Sequence, residues 1–229
     1  MTMGKSLWVS INMRTNTLQD QHKQWGQIYS EESDLFGVEP SAPAQKAVEM
    51  FKKENLAHIL ELGCGQGRDT LYFAQRGFSV HALDYAESGI RSITGKAREL
   101  GLSARVTAIR HDVCVPLPFE DNYFDACYSH MLYCMALTTA ELVSLSDEVR
   151  RVLKPSGYQI YTVRHIRDPH YGIDIHRGED MYEVGGFIVH FFSKEKVIHL
   201  AQGFEILGID EFEEGDLPRK LFQVMLRKI

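Results

Sequence analysis

Ile59-Leu60-Glu61-Leu62-Gly63-Cys64-Gly65-Gln66-Gly67-Arg68 is the stretch that decides how this chain folds. The run over residues 57–62 is apolar on both faces, as a central strand of a parallel sheet must be, and it ends in alternating glycines. A helix is expected over residues 69–75, stopped by Gly77. Glycines at such a strand-to-helix turn let backbone N–H groups approach a ligand closely, and the helix N-terminus beyond them favours negative charge. Two details narrow the ligand. A dinucleotide loop wants Gly or Ala three residues after its second glycine, and that position is Arg68. The strand also carries Glu61, which would repel a pyrophosphate but hold a ligand's ammonium group.

Outward from the loop, strands and helices alternate. Strands are expected over residues 78–83, 105–109, 123–128 and 158–163, with a closing pair over 205–212 and 221–226. Ser41 caps a first helix with Ala44, Ala47, Val48 and Phe51 on one face, and Ile90, Ile93, Ala97 and Leu100 mark another, closed by Gly101. Thr139 is read as the cap of a helix bearing Leu142, Leu145, Val149, Val152 and Leu153, which Pro155 must stop, with residues 154–157 as a turn. A last helix spans residues 193–201. Such alternation demands an α/β fold with a parallel sheet and right-handed crossovers. Residues 1–20 read as a weakly structured tail. Residues 164–192 are polar, His-rich and longer than a usual connection.

Composition bounds the function. The 229 residues suit one large domain, and 44% hydrophobic with 24% charged residues excludes disorder and fibrous folds. Lys plus Arg is 25 against 31 Asp plus Glu, a net charge of −6 with no concentrated basic patch, so no nucleic acid and no membrane surface is expected as a partner. The cysteines (Cys64, Cys114, Cys127, Cys134) have no CxxC spacing, which fits reduced thiols and a cytoplasmic setting better than a disulfide scaffold. No apolar run approaches about 18 residues, and the opening MTMGKSLWVSIN does not read as a signal peptide.

Acidic residues end the next two strands as well. Asp84 suits the two hydroxyls of a ribose lacking a 2′-phosphate; it also suits a helix cap. Asp112 suits an adenine's exocyclic amine, with Val113 flanking the ring; it also suits a turn before Pro116 and Pro118. With Glu61 they describe a cleft for an amino acid, a ribose and an adenine.

These stretches, residues 59–70, 81–90, 111–135 and 150–163, resemble the successive motifs of class I S-adenosylmethionine-dependent methyltransferases. Leu-Pro-Phe-Glu-Asp-Asn-Tyr-Phe-Asp (117–125) and Arg-Val-Leu-Lys-Pro-Ser-Gly (151–157) are similar to the family's segments around the fourth and before the fifth strand. The resemblance implies a Rossmann-like, doubly wound seven-stranded sheet, order 3-2-1-4-5-7-6 with strand 7 antiparallel. It implies S-adenosylmethionine as cofactor, held by Glu61, Gly63, Cys64, Gly65, Gly67, Arg68, Asp84, Tyr85, Asp112, Val113 and Ser129. Trp25, Tyr29, Phe36-Gly37, Pro40-Ser41 and His190-Phe191-Phe192-Ser193 look like the tellurite-resistance-type small-molecule branch. That implies a tail and lid over residues 1–40 with Tyr29 near the methyl group, ahead of a domain over 41–229 with a substrate-side insertion at about 164–192. Enzymes that methylate adenine or glutamine resemble one another in an Asn/Asp-Pro-Pro-Tyr motif, and Ser129–Met135 lacks both prolines.

The acceptor is therefore expected to be a small molecule. His130 is the candidate base or clamp, with Tyr133 behind it. Arg164 and His165 are candidates to grip an anionic acceptor. His165, His170 and His176 have no established ligand spacing, so no metal is expected. Glu211, Glu213, Glu214 and Asp216 read as an exposed hairpin. A homodimer is compatible with all of this. Two other functions fit the loop: a non-catalytic module that binds S-adenosylmethionine or S-adenosylhomocysteine, and an NAD-dependent dehydrogenase, against which Glu61 and Arg68 speak.

Overall fold

A computed structural model describes residues 18–32, 34–215 and 219–229. Its elements run α1 (Leu18–Glu31), α2 (Ala42–Lys53), β1 (His58–Leu62), α3 (Arg68–Gln75), β2 (Ser79–Asp84), α4 (Glu87–Glu99), β3 (Val106–Arg110) and β4 (Phe124–His130). Then come α5 (Thr139–Val152), β5 (Leu153–Arg164), β6 (Met181–Val184), β7 (Phe187–His190), α6 (Lys194–Leu200), β8 (Phe204–Glu214) and β9 (Arg219–Lys228). Seven strands form one sheet in the order β3-β2-β1-β4-β5-β9-β8, and β6 with β7 forms a separate hairpin. Counted without that hairpin, the order is the expected 3-2-1-4-5-7-6. The last strand, β9, runs antiparallel to both neighbours.

The sheet is buried on both faces, which is why its central strands are apolar throughout. Ile59, Val80, Ala126, Tyr128 and Ile160 face a cluster built with Phe51 of α2, Phe73 of α3 and Ile93 of α4. Leu60, Leu62, Cys127, Tyr161 and Val163 face the opposite cluster, built with Leu142 and Val149 of α5 and Val197 of α6. Ser41 caps α2 as expected, its Oγ accepting from the Ala44 N–H, and it also donates to Asp69 at 2.7 Å.

Several local readings differ from the structure. Thr138, not Thr139, caps α5, in a reciprocal capping box with Glu141, while Thr139 donates to Glu179. Residues 154–157 are absorbed into β5: the register shifts between Phe124 and Ala126, and Ser156 adopts φ 61°. Gly157 is required there because a Cβ would meet the Lys154 carbonyl at 2.8 Å. The polar 164–192 segment contains β6 and β7, with Val184 and Phe187 paired at their turn. Of the 1–20 tail, residues 1–17 lie outside the described residues. Among the described residues no helix is long and apolar enough to cross a membrane.

Candidate active site

At the carboxyl ends of β1 and β2 the chain turns through Gly63, Gly65 and Gly67, all at positive φ. The N–H groups of Gly63 and Cys64 both donate to the Leu83 carbonyl, and Gly65 N–H donates to Asp84 Oδ2 at 2.9 Å. Asp84 Oδ1 accepts from Ala86 N–H at 2.9 Å, so the carboxylate ties the glycine loop to the start of α4. A Cβ on Gly67 would lie 2.4 Å from Ile93, and one on Gly89 would lie 2.3 Å from the Gly65 carbonyl. The loop is therefore clasped against α4 with no space for side chains.

Helix α1 lies over this loop. The Tyr29 hydroxyl sits 3.2 Å from where a Gly65 Cβ would be, and burial, then the nearby Asp84, raise its pKa. Ties from both sides hold the lid. Gln66 Nε2 donates to the Glu32 carbonyl at 2.6 Å and its Oε1 accepts from Leu35 N–H, while Ser88 donates to the Gly26 carbonyl. Arg68 donates to the Phe36 carbonyl at 2.9 Å, and Lys96 pairs with Asp34. On the far side Gln21 accepts from Ile188 N–H, and Trp25 packs on Phe187 with ring centroids 4.5 Å apart. Sequence reasoning passed over Gln66 as a spacer between two glycines.

Beneath the lid is a cleft of about 2300 Å³ lined by both sheet ends and the hairpin. Glu61 reaches it from β1, 4% exposed, accepting from Thr70 Oγ1 at 2.5 Å. Burial, then Asp69, hold its carboxyl well above the usual range, against the opposing effects of the Thr70 hydrogen bond and the Arg68 charge. His130 reaches the cleft from the end of β4. Its Nδ1 bonds Thr162 Oγ1 at 2.8 Å, and its Nε2 lies 3.3 Å from Glu214 Oε1. Burial would raise the Glu214 carboxyl, but the hydrogen bond and charge of His130, with Arg219 and Arg68, outweigh it and lower the pKa. Glu214 thus belongs to the cleft and not to an exposed hairpin. Asp216 lies outside the described residues.

The expected site residues do not all converge. Gly63, Cys64, Gly65, Gly67, Arg68, Asp84, Tyr85, Tyr29, His130 and Arg164 line the cleft. Tyr133 does not: Met131 at φ 68° turns the chain, and Tyr133 is buried against Tyr161 with its hydroxyl accepting from Gln159. His165 is likewise buried, its ring 4.6 Å from Phe222 and its Nδ1 accepting from Arg167 N–H. Asp112 closes the turn after β3 by accepting from Cys114 N–H, and Val113 packs on the core; neither lines the cleft. Ser129 is buried with no partner recorded for its hydroxyl. Arg164 reaches the cleft, yet its guanidinium is held by both oxygens of Asp168, at 3.0 and 2.6 Å. Among the described residues no group of His, Cys, Asp or Glu could hold a metal ion.

A glycine loop packed tightly on its neighbours, a buried carboxylate at the end of β1 and a second carboxylate at the end of β2 fit an amino-acid nucleoside. Residues 59–157 match the family model described as a methyltransferase domain. A sterol 4-C-methyltransferase of Caenorhabditis elegans is 32% identical over 100 residues, 44% of this chain and 29% of that protein. The chain spans less than half the length of the curated relatives it matches. An S-adenosylmethionine-dependent methyltransferase of Methanosarcina mazei superposes with a TM-score of 0.67 at 25% identity, over 75% of this chain and 92% of that one. The 1,6-didemethyltoxoflavin-N1-methyltransferase of Burkholderia thailandensis, solved with S-adenosylhomocysteine, superposes with a TM-score of 0.71 at 16% identity over 96% and 94%. Residues 59–157 thus match a methyltransferase domain and share the fold of class I S-adenosylmethionine-dependent methyltransferases, and S-adenosylmethionine is the cofactor.

Proposed function

We propose that this methyltransferase domain transfers a methyl group to a small-molecule acceptor that enters beside His130. The observation that carries the reading is the closed stack of Tyr29, Gly65 and Asp84, beside which the carboxyl of Glu61 is buried. Glu61 would hold the ammonium of the amino-acid end, and Asp84, anchored to the loop by Gly65 N–H, the ribose hydroxyls. When bound, S-adenosylmethionine supplies a methyl group whose bond to the sulfonium sulfur breaks as the acceptor's lone pair attacks in line, leaving S-adenosylhomocysteine. The protein's contribution is to orient and to exclude water, so no triad is needed. The lid formed by α1 serves the second task. Where the acceptor has a proton to lose, His130 takes it at Nε2 once the acceptor displaces the Glu214 contact, while Nδ1 stays with Thr162. Tyr133, His165, Asp112 and Val113 are left without a part in this scheme. The sterol and didemethyltoxoflavin enzymes named above act on small molecules, which agrees with this reading.

Two measurements test it. A panel of thiols, amines, phenols and metalloid oxyanions is screened for S-adenosylhomocysteine release. Turnover of at least one is expected, and binding without turnover across the panel would favour a non-catalytic module. Proton linkage tests the Glu61 assignment. Burial raises the pKa of the empty carboxyl and an ammonium partner lowers it again, so binding is linked to release of a proton. Affinity for S-adenosylmethionine is then expected to rise with pH above the ordinary carboxylate range, while 5′-methylthioadenosine, which lacks the amino-acid end, shows no such trend. Equal pH dependence of the two ligands would remove Glu61 from the site.

A further inference from the structure

The acceptor end of the cleft has a composition of its own. Trp25 of α1 and Phe187 of β7 form one face, with their centroids 4.5 Å apart. Phe187 pairs across the hairpin with Val184. Val184 and Val189 belong to the buried cluster against which Met131 and Met135 pack, and all six side chains line the cleft. The wall is aromatic and aliphatic, with two thioethers that can adapt to a ligand's outline.

The cations near this wall are already engaged. Arg164, 5% exposed, is bound bidentately by Asp168 and also lies within 2.7 Å of His170 Nδ1. Arg219 lies 3.4 Å from Glu214, and Arg68 is committed to the Phe36 carbonyl and to Asp69. A carboxylate or phosphate on the acceptor would have to compete with these carboxylates for the guanidinium groups. Drawing Arg164 away would leave Asp168, which is fully buried, without its counter-charge, the costliest of such exchanges. An uncharged ring would bury apolar area against Trp25 and Phe187 and break nothing.

We infer that the acceptor is an uncharged, ring-bearing small molecule that packs against Trp25 and Phe187, and not the anion that Arg164 and His165 suggest in the sequence. This rests on the methyl-transfer reading above. Trp25 is itself the reporter. The sequence has two tryptophans, so Trp8→Phe leaves Trp25 as the sole emitter. In that background, with saturating S-adenosylhomocysteine, 4-nitrobenzamide and 4-nitrobenzoate present the same quenching ring without and with a negative charge. The amide is expected to quench Trp25 and to bind about tenfold or more tightly than the carboxylate. Phe187→Ala is expected to weaken the amide about tenfold while lowering S-adenosylhomocysteine affinity, read by calorimetry, much less. Equal or tighter binding of the carboxylate overturns the inference, as does an absence of quenching by either ring in a protein that binds S-adenosylhomocysteine. Loss of S-adenosylhomocysteine binding itself would overturn the methyl-transfer reading and this inference together, and calorimetry reports that result separately.

Discussion

Gly65→Val abolishes cofactor binding while the sheet still forms. The residue sits at φ 54°, where a β-branched side chain is strained, and its Cβ alone would stand 3.2 Å from the Tyr29 hydroxyl. The two γ-methyl groups of valine would extend into the space between loop and lid. The Gly65 N–H also anchors Asp84, so distortion at this one residue displaces the glycine loop and the expected ribose carboxylate together. The affinity loss is expected to exceed about a hundredfold, the sum of a lost charge-assisted hydrogen bond and backbone strain. Calorimetry with S-adenosylhomocysteine measures it, and circular dichroism shows whether the fold survives, which is expected because the strands behind Gly65 are buried independently of the loop. Normal affinity in the folded variant would mean that the ligand lies elsewhere.

His130→Ala separates chemistry from binding. Of the site's side chains His130 is the one held at both ring nitrogens, by Thr162 on its own sheet and by Glu214 from the far end of β8. Such bracketing fixes the ring's plane, which a positioned acid–base group requires. With an acceptor that must lose a proton, kcat is expected to fall about a hundredfold or more. Affinity for S-adenosylmethionine should change little, because neither ring nitrogen is needed to hold the amino acid or ribose. A variant that keeps its rate but binds the cofactor poorly would move His130 into the nucleoside pocket.

The legible part of this fold was local. Runs that are apolar on both faces, helical spacing such as Ile93 with Ala97, and breakers such as Gly77 and Pro155 act over a few residues, so strand and helix positions could be read directly. The hairpin β6–β7 escaped because its strands have four residues each and sit inside a polar stretch, where alternation has too few positions to register. Residues 154–157 escaped for another reason. Lys-Pro-Ser-Gly carries every mark of a turn, yet pairing with β4 draws it into β5 through a register shift.

What faces the cleft is a separate matter. Glu61, Gly65 and Asp84 could be picked out because each ends a strand or follows one, and in a parallel sheet all such ends open on the same side. Tyr133 and His130 stand three residues apart in the chain, but the left-handed turn at Met131 sends one into the core and leaves the other at the site. No spacing rule contains that turn. Arg164 looked like an anion clamp until Asp168, one helical turn's length along the chain, folded back onto both of its nitrogens. Glu214 looked like solvent-exposed charge because its partner comes from β4, and only the antiparallel insertion of β9 between β5 and β8 brings that end of β8 to His130. Local pattern in the sequence determined the strands, the helices and the glycine loop, and the family resemblance carried by those motifs implied the strand order and the cofactor. The tertiary structure decided the acceptor side, since that is assembled by a lid, a hairpin and a strand end that no local pattern connects.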